Sequence, residues 1–312
     1  MGSLIRHVKN LLSKSATHGD AMPSEAVDAP DREEENIHVK PPAGDRTIAT
    51  NIGGRACQIT SDDDYLEHIQ GEFEPEMVKL FRSLINKEQV ILDVGANIGC
   101  TAILFGDLGK QVFGFEPSPT TFSYLQKNLQ AAGCANVNPV NFGLGKENGS
   151  FELTFAKSNR SGGFVSNLTK ASQGHQVEKI RIVQGDDYIK ETGLQHIDFI
   201  KIDVEGFEKN VMEGLAQTIQ RDKPVVVLEL NHWCLNAFQR ISVPDFLDFL
   251  RGVFPYLYAV DVSDARNLHN TDDAYHVMYW HIAGGFKYAN IVGAFDKGQL
   301  TGFSELYNLK LQ

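Results

Sequence analysis

A buried-strand pattern that runs into a glycine-rich turn and then into a helix constrains this chain more than any other feature. Residues 90–99 read Val-Ile-Leu-Asp-Val-Gly-Ala-Asn-Ile-Gly, and residues 100–108 have helical character. A strand that feeds a helix through so small a turn leaves backbone N–H groups free at the helix N-terminus. A nucleotide-like ligand can lie close to those groups, so the pattern predicts a cofactor pocket at this turn.

An acid follows the next apolar run, where nucleotide-binding sheets hold ribose hydroxyls. That run ends in Glu116, and an acid at this strand tip is the usual partner of a ribose. The turn departs from the dinucleotide pattern, because Gly95 and Gly99 are separated by three residues and Asp93 precedes them. Asn97 tolerates left-handed backbone, so the turn can still form. This pattern favours an S-adenosylmethionine pocket over a nicotinamide pocket, with Asp93 holding the methionine end.

A third strand-like run, residues 197–202, also ends in polar residues. In an open parallel sheet ligands collect outside the carboxyl ends of the strands, so Asp203 and Glu205 are expected beside the glycine turn. Strand alternation places Lys201 and Asp203 on one face. A lysine inside a strand needs an anionic partner. Two interpretations stay open, an ion pair that stabilises the sheet edge and a direct role at the substrate.

A fourth apolar run brings Glu229, Asn231 and His232 to the same edge. His232 is the first candidate for a general base that deprotonates a hydroxyl, because histidine titrates near neutral pH. Asp203 and Glu205 are the second candidates. Asp203, Glu229 and Asn231 also form an alternative Mg²⁺ site, in which the cation would lower the pKa of the acceptor.

Several of these segments together resemble the FkbM-type S-adenosylmethionine-dependent methyltransferases. The resemblance lies in residues 93–99, 115–117 and 200–206, with weaker matches at 71–75 and 186–188. It implies an α/β, Rossmann-like class I methyltransferase fold, with a seven-stranded, mostly parallel sheet and helices on both faces. It also implies O-methylation of a hydroxyl on a sugar or another small natural product, with S-adenosylhomocysteine as the second product.

The motifs and the resemblance define two sets of candidate site residues. The expected cofactor contacts are Glu74, Asp93, Gly95, Ala96, Asn97, Gly99, Glu116, Pro117 and Asp203. The expected catalytic residues are His232, Asp203, Glu205 and Lys201.

Changes in composition along the chain predict four units. They are an amphipathic segment with an acidic linker (1–46), capping strands and a helix (47–88), a methyltransferase domain (89–283) with a possible substrate lid (156–176), and a C-terminal appendage (284–312). Residues 255–262 and 274–282 are predicted as a strand pair at the end of the domain. Residues 4–14 can form a short amphipathic helix that touches a membrane surface, or one without a function.

Charge and cysteine usage narrow the classes of function and partner. The net charge of −11 disfavours a nucleic-acid partner and leaves a small-molecule or glycan acceptor. The four cysteines are scattered, as expected of reduced thiols in a cytoplasmic protein. No sequence run has the length of a membrane span. An NAD(P)-dependent oxidoreductase and a binding protein with a relict pocket remain the rival functions.

Overall fold

The computed structural model describes residues 44–156, 158–166, 168–169 and 174–311. The predicted amphipathic segment at 4–14 lies outside these residues. The strands are β1 (Arg46–Ile52), β2 (Arg55–Ser61), β3 (Gly71–Glu72), β4 (Val90–Val94), β5 (Gln111–Phe115), β6 (Val137–Val140), β7 (Gly143–Gly145), β8 (Gly149–Ala156), β9 (Asn159–Val165), β10 (His175–Gln184), β11 (Phe199–Ile202), β12 (Val225–Glu229), β13 (Tyr256–Val260), β14 (Ala265–Asn267) and β15 (Asn290–Ala294). The helices are α1 (Pro75–Leu84), α2 (Cys100–Leu108), α3 (Pro119–Ala132), α4 (Gly185–Thr192), α5 (Glu208–Gly214), α6 (Ala216–Asp222), α7 (His232–Cys234), α8 (Val243–Val253), α9 (Thr271–Ile282) and α10 (Thr301–Leu306).

The central sheet confirms the predicted α/β class. Its strand order is β14-β13-β15-β12-β11-β4-β5-β6. Strands β12, β11, β4, β5 and β6 are parallel to one another, whereas β15 runs antiparallel to both of its neighbours. The sheet has eight strands instead of seven, because the short β14 pairs with the outer edge of β13. The parallel strands bring their carboxyl ends to one edge, where a ligand site is expected.

The C-terminal region corrects two predictions. Residues 284–312 are not an appendage, because β15 lies between β12 and β13 in the central sheet. Residues 274–282 are not a strand but part of α9, whose buried residues Ala274, Val277 and His281 follow helical spacing. The apolar content of this segment suggested a strand, but tertiary packing favours the helix.

A second, four-stranded sheet lies beside the cofactor edge, with the order β7-β10-β8-β9. Strands β8 and β10 of this sheet pair antiparallel to each other. The segment predicted as a lid loop, 156–176, contains β9, which pairs with β8. At the N-terminal side, β1 pairs with β2 and β3 in a three-stranded sheet.

Strand alternation builds a hydrophobic core on each face of the central sheet. Phe199 lies on one face, where its ring meets those of Phe81 and Phe105 edge-on. Ile200 and Ile202 lie on the other face, in the second core cluster. Each such buried side chain contributes roughly 1.5–3 kcal/mol. The polar residues at the carboxyl ends of the parallel strands lie on the same face as Phe199, because side chains two residues apart on a strand point to the same face.

Helix α1 covers one side of that site. It begins at Pro75, a residue well suited to the first turn of a helix, and it buries Val78, Phe81 and Leu84 at a spacing of three residues. Its N-terminus therefore points toward the strand tips. Across the described parts of the chain, no helix combines the length and the apolar content needed to cross a membrane.

Candidate active site

The turn between β4 and α2 is held in a conformation that requires glycine. The backbone φ angles of Gly95, Asn97 and Gly99 are 84°, 49° and 101°, all in the left-handed region. The N–H groups of Gly95 and Ala96 both donate to the carbonyl of Phe115, at 3.1 and 2.9 Å. A Cβ on Gly95 would lie 1.9 Å from the carbonyl oxygen of Asp203, so no other residue fits here. The tip of β4 is thereby packed against both neighbouring strand tips.

Glu116 closes the far side of this turn. Its carboxylate accepts hydrogen bonds from the backbone N–H groups of Asn97, at 3.1 Å, and Ser118, at 2.9 Å. Burial raises the pKa of Glu116 to about 7, although both hydrogen bonds oppose this rise. A carboxylate offers about four acceptor positions and two are used, so it can still bind a diol.

Lys201 is a buried cation in the middle of the site. The register pairs it with Asp93 on β4, and its Nζ lies 3.5 Å from Oδ1 of Asp93 and 3.3 Å from Oδ2 of Asp203. The same ammonium donates to the carbonyl of Gly95 at 2.9 Å. Burial raises the pKa of Asp93 to about 6 despite the nearby Lys201. Burial alone would raise the pKa of Asp203 as well, but Lys201 outweighs it and the pKa is lowered.

Three carboxylates meet at the tips of β11 and β12. Oxygen atoms of Asp203, Glu205 and Glu229 all lie within 4.8 Å of one another. Burial, followed by repulsion from Asp203, raises the pKa of Glu205 to about 7 and that of Glu229 well above its ordinary value. Oε2 of Glu229 is buried and has no hydrogen-bond partner among the described residues. This group can share protons or hold a divalent cation, because carboxylate oxygens are the ligands that Mg²⁺ takes.

The turn after β11 fixes Glu205 in place. Glu205 and Gly206 have φ angles of 51° and 98°. Asn231 Nδ2 donates to Oε2 of Glu205 at 3.4 Å, and the thiol of Cys234 donates to the same oxygen at 3.2 Å. A Cβ on Gly206 would lie 2.9 Å from the Cys234 backbone. The tips of β11 and β12 are therefore locked together through this turn.

Glu208 supports the same turn from below. Its Oε1 accepts from the backbone N–H groups of Gly206, at 3.0 Å, and Val204, at 3.3 Å. Burial raises its pKa to about 8. Its side chain is fully buried, so it orders the turn without reaching a substrate.

His232 lies outside the cleft that the strand tips form. Its ring packs against those of Phe286, with centroids 4.5 Å apart, and His281, at 5.0 Å. Nδ1 of His281 donates to the Lys287 carbonyl at 2.8 Å, which leaves Nε2 to accept from the His232 backbone N–H at 3.3 Å. Burial lowers the pKa of His232. Within the described structure, Nδ1 of His232 is buried and has no hydrogen-bond partner.

The structure brings most of the sequence-predicted site residues into one cleft. Those that line it are Glu74, Gly95, Ala96, Asn97, Glu116, Pro117, Lys201, Asp203, Glu205 and Glu229. Asp93 and Gly99 lie beneath its surface, and Asn231 and His232 lie behind it.

The cleft also contains residues that the sequence analysis did not identify. Among them are Tyr65, Met77, Arg160 and Asn290. Arg160 is buried and forms ion pairs with Asp62 and Asp63. Its position in the polar stretch after β8 gave no signal, because a charged residue in such a stretch is usually hydrated at the surface. Nothing in the local sequence of Met77 or Asn290 indicates a site.

The residues present fit a nucleoside with a charged amino-acid end. The glycine turn leaves room for close backbone approach, and Glu116 lies where a ribose diol would bind. The acidic end of the cleft matches a ligand that carries positive charge. S-adenosylmethionine has these three features.

The chain was compared with protein-family models and with known proteins. A family model described as the Methyltransferase FkbM domain matches residues 93–256, slightly more than half of the chain. The protein from Methylobacillus flagellatus described as Methyltransferase FkbM is similar in structure with a TM-score of 0.39, at 19% identity, covering 54% of this chain and 38% of that one.

Two curated relatives carry names that describe their reactions. "Hexuronic acid methyltransferase AglP" of Haloferax volcanii is 29% identical, covering 49% of this chain and 61% of the relative. "2-O-methyltransferase NoeI" of Sinorhizobium fredii is 28% identical, covering 45% of this chain and 63% of the relative. The matched stretches thus span about three fifths of the length of these relatives.

Proposed function

Because the chain belongs to the FkbM methyltransferase domain family, we propose that it transfers a methyl group from S-adenosylmethionine to a hydroxyl of a sugar or another small natural product. One observation carries this proposal. The glycine turn with Glu116 and the carboxylates of Asp203, Glu205 and Glu229 line the same cleft. A methyl donor and a hydroxyl acceptor can therefore be held side by side. The relatives named as a hexuronic acid methyltransferase and a 2-O-methyltransferase support a sugar acceptor.

The cofactor end of the cleft has the groups that would hold the donor. When bound, S-adenosylmethionine supplies an electrophilic methyl group and leaves as S-adenosylhomocysteine. Glu116 would accept hydrogen bonds from the ribose hydroxyls, and the turn at Gly95 would contact the nucleoside. Lys201 holds that turn through the Gly95 carbonyl and keeps Asp203 ionised. Alignment of the reacting oxygen and carbon in such a site can contribute on the order of 7–11 kcal/mol.

The acceptor end has the groups that would remove the hydroxyl proton. We assign this role to Glu205, which lines the cleft and is fixed by Asn231 and Cys234. A positioned base contributes roughly 10²–10⁴-fold to the rate. Asp203 is the second candidate. His232 remains the rival base, although it would first have to move from behind Phe286.

A divalent cation on Asp203, Glu205 and Glu229 is a second route to the same deprotonation. The three carboxylates lie close enough to share one ion. A cation there would lower the pKa of an acceptor hydroxyl and would replace the base. Exhaustive EDTA treatment decides between the two routes. Activity that survives would show that a side chain removes the proton without a metal. Activity that is lost and returns with Mg²⁺ would show that the reaction depends on the cation.

The proposal is tested with two ligands and one labelled donor. S-adenosylhomocysteine should raise the thermal midpoint, since a ligand at 100 times its Kd stabilises by about 2.7 kcal/mol, whereas NAD should not. Labelled S-adenosylmethionine should then mark a member of a panel of glycosides. Stabilisation by NAD alone would support an oxidoreductase. Binding of S-adenosylhomocysteine without methyl transfer to any acceptor would support a binding protein with a relict pocket.

A further inference from the structure

A second cavity adjoins the acceptor end of the cleft. Its volume is about 290 Å³, and it shares Glu74, Met77 and Asn290 with the cleft. These three residues come from the start of α1 and the start of β15. A molecule in the second cavity can therefore reach past them toward the carboxylates at the tips of β11 and β12.

The walls of this cavity are largely apolar. Met77 and Leu80 come from α1, Val260 ends β13, and Phe286 and Tyr307 come from turns near the C-terminus. The Phe286 ring packs against the rings of His232 and His281, which fixes its orientation. Aromatic and aliphatic walls of this kind suit the apolar face of a sugar ring or an aromatic group attached to it.

The charged residues that line the second cavity are all acidic in the described chain. They are Glu74, Glu76 and Asp261. Glu76 lies 2.9 Å from Lys79, which does not line the cavity. No ammonium or guanidinium of the lining is thus available to pair with a negatively charged ligand.

The two basic residues of the adjoining cleft are already paired. Lys201 lies between Asp93 and Asp203, and buried Arg160 pairs with Asp62 and Asp63. The described lining of the second cavity thus carries acidic residues and no basic one, so a carboxylate on the ligand would meet charges of its own sign, which repel it. A neutral or positively charged ligand meets no such barrier.

We propose that the second cavity is the acceptor subsite, and that it takes a neutral or positively charged sugar glycoside with an apolar face and excludes uronic acids. This inference rests on the proposed methyltransferase function. It separates the chain from its relative named as a hexuronic acid methyltransferase. The apolar walls bind the ring face, the acids bind hydroxyl or ammonium groups, and the hydroxyl to be methylated points past Met77.

The test uses three phenyl glycosides that differ only at carbon 6. They are phenyl β-glucoside, phenyl β-glucuronide and the 6-amino-6-deoxy analogue of the glucoside. Binding to the protein saturated with S-adenosylhomocysteine is measured by ligand-observed NMR. The neutral and amino glycosides should bind, and the glucuronide should bind at least about tenfold more weakly, a difference of about 1.4 kcal/mol. Equal binding of the glucuronide, or no binding of any of the three, would overturn the inference.

Two substitutions locate the effect in the second cavity. Asp261→Lys should bring the affinity for the glucuronide to within about threefold of that for the glucoside. Glu191→Lys, on α4 and outside both cavities, makes the same change in net charge and should leave the selectivity unchanged. Val262→Trp adds bulk at an exposed lining position, and should weaken binding of the neutral glycoside about tenfold while S-adenosylhomocysteine binds as before.

These measurements separate the failure of the inference from that of the proposed function. A protein that does not bind S-adenosylhomocysteine refutes both. If the protein does bind it, either of two results refutes the acceptor subsite alone. The glucuronide binds as tightly as the glucoside, or Val262→Trp leaves glycoside binding unchanged.

Discussion

The two ends of the cleft are built in different ways. The cofactor end is made by backbone, in a turn whose glycines Gly95 and Gly99 are enforced by left-handed φ angles and close contacts. The acceptor end is made by side chains, with three carboxylates around one another and an apolar cavity beyond them. The first arrangement admits little variation in sequence, whereas the second can change its ligand by single substitutions.

The largest expected effect concerns the rigidity of the cofactor end. Gly95→Ala should lower the free energy of unfolding by at least about 3 kcal/mol and abolish measurable binding of S-adenosylhomocysteine, because its Cβ would collide with the Asp203 carbonyl. Gly133→Ala is the matched control. Gly133 also has a positive φ, but it has open space around it, so only about 1 kcal/mol should be lost. Denaturant titrations of both variants measure the difference, and equal losses would refute the steric explanation.

The second prediction addresses the chemistry of the acceptor end. Glu205→Gln should lower the rate of methyl transfer by roughly 10²–10⁴-fold while S-adenosylhomocysteine still binds, since it removes the base and keeps the shape. His232→Ala should reduce the rate much less. Single-turnover rates with labelled donor measure both. If His232→Ala were the slower variant, the proton acceptor would be His232.

The third prediction concerns the buried carboxyl group of Glu208, which lies beneath the acceptor end. The folded-state pKa of Glu208 is about 8, above its ordinary value of 4.5, so stability is greatest below pH 4.5 and falls as the pH rises toward 8. Between pH 4.5 and pH 7 the wild type should lose about 3 kcal/mol of its free energy of unfolding through this group. Glu208→Gln should not show this loss. Glu213→Gln, exposed on the same helix, is the control. Parallel stability curves for wild type and Glu208→Gln would show that Glu208 titrates normally.

The smallest expected effect is at the ion pair that joins the two ends. Asp93→Asn should lower the free energy of unfolding by only about 1 kcal/mol, because Lys201 keeps Asp203 as its partner. Affinity for S-adenosylhomocysteine should fall by a few fold, measured by calorimetry. A loss of more than about 3 kcal/mol would mean that Asp93 is the main counter-charge of Lys201.

The sequence predicted which residues come together around the glycine turn, because the signals for them are local. The run into Gly95, the acid Glu116 and the alternation of Lys201 with Asp203 each depend on neighbours within a few residues. The second cavity was not predicted, because Met77, Val260 and Phe286 come together only in the folded chain. The place of β15 was missed for a related reason, since chain order does not reveal the position of a strand in a sheet.

The insertion of β15 also bears on how the protein is made. In the described part of the chain, β12 and β13 are not paired with each other, and β15 lies between them and pairs with both. We therefore expect the β13–β14 hairpin to join the central sheet only after β15 has been synthesised. The strands that carry the glycine turn and the three carboxylates all precede β15 in the chain, whereas the second cavity, which Asn290 of β15 lines, can be complete only once β15 is in place.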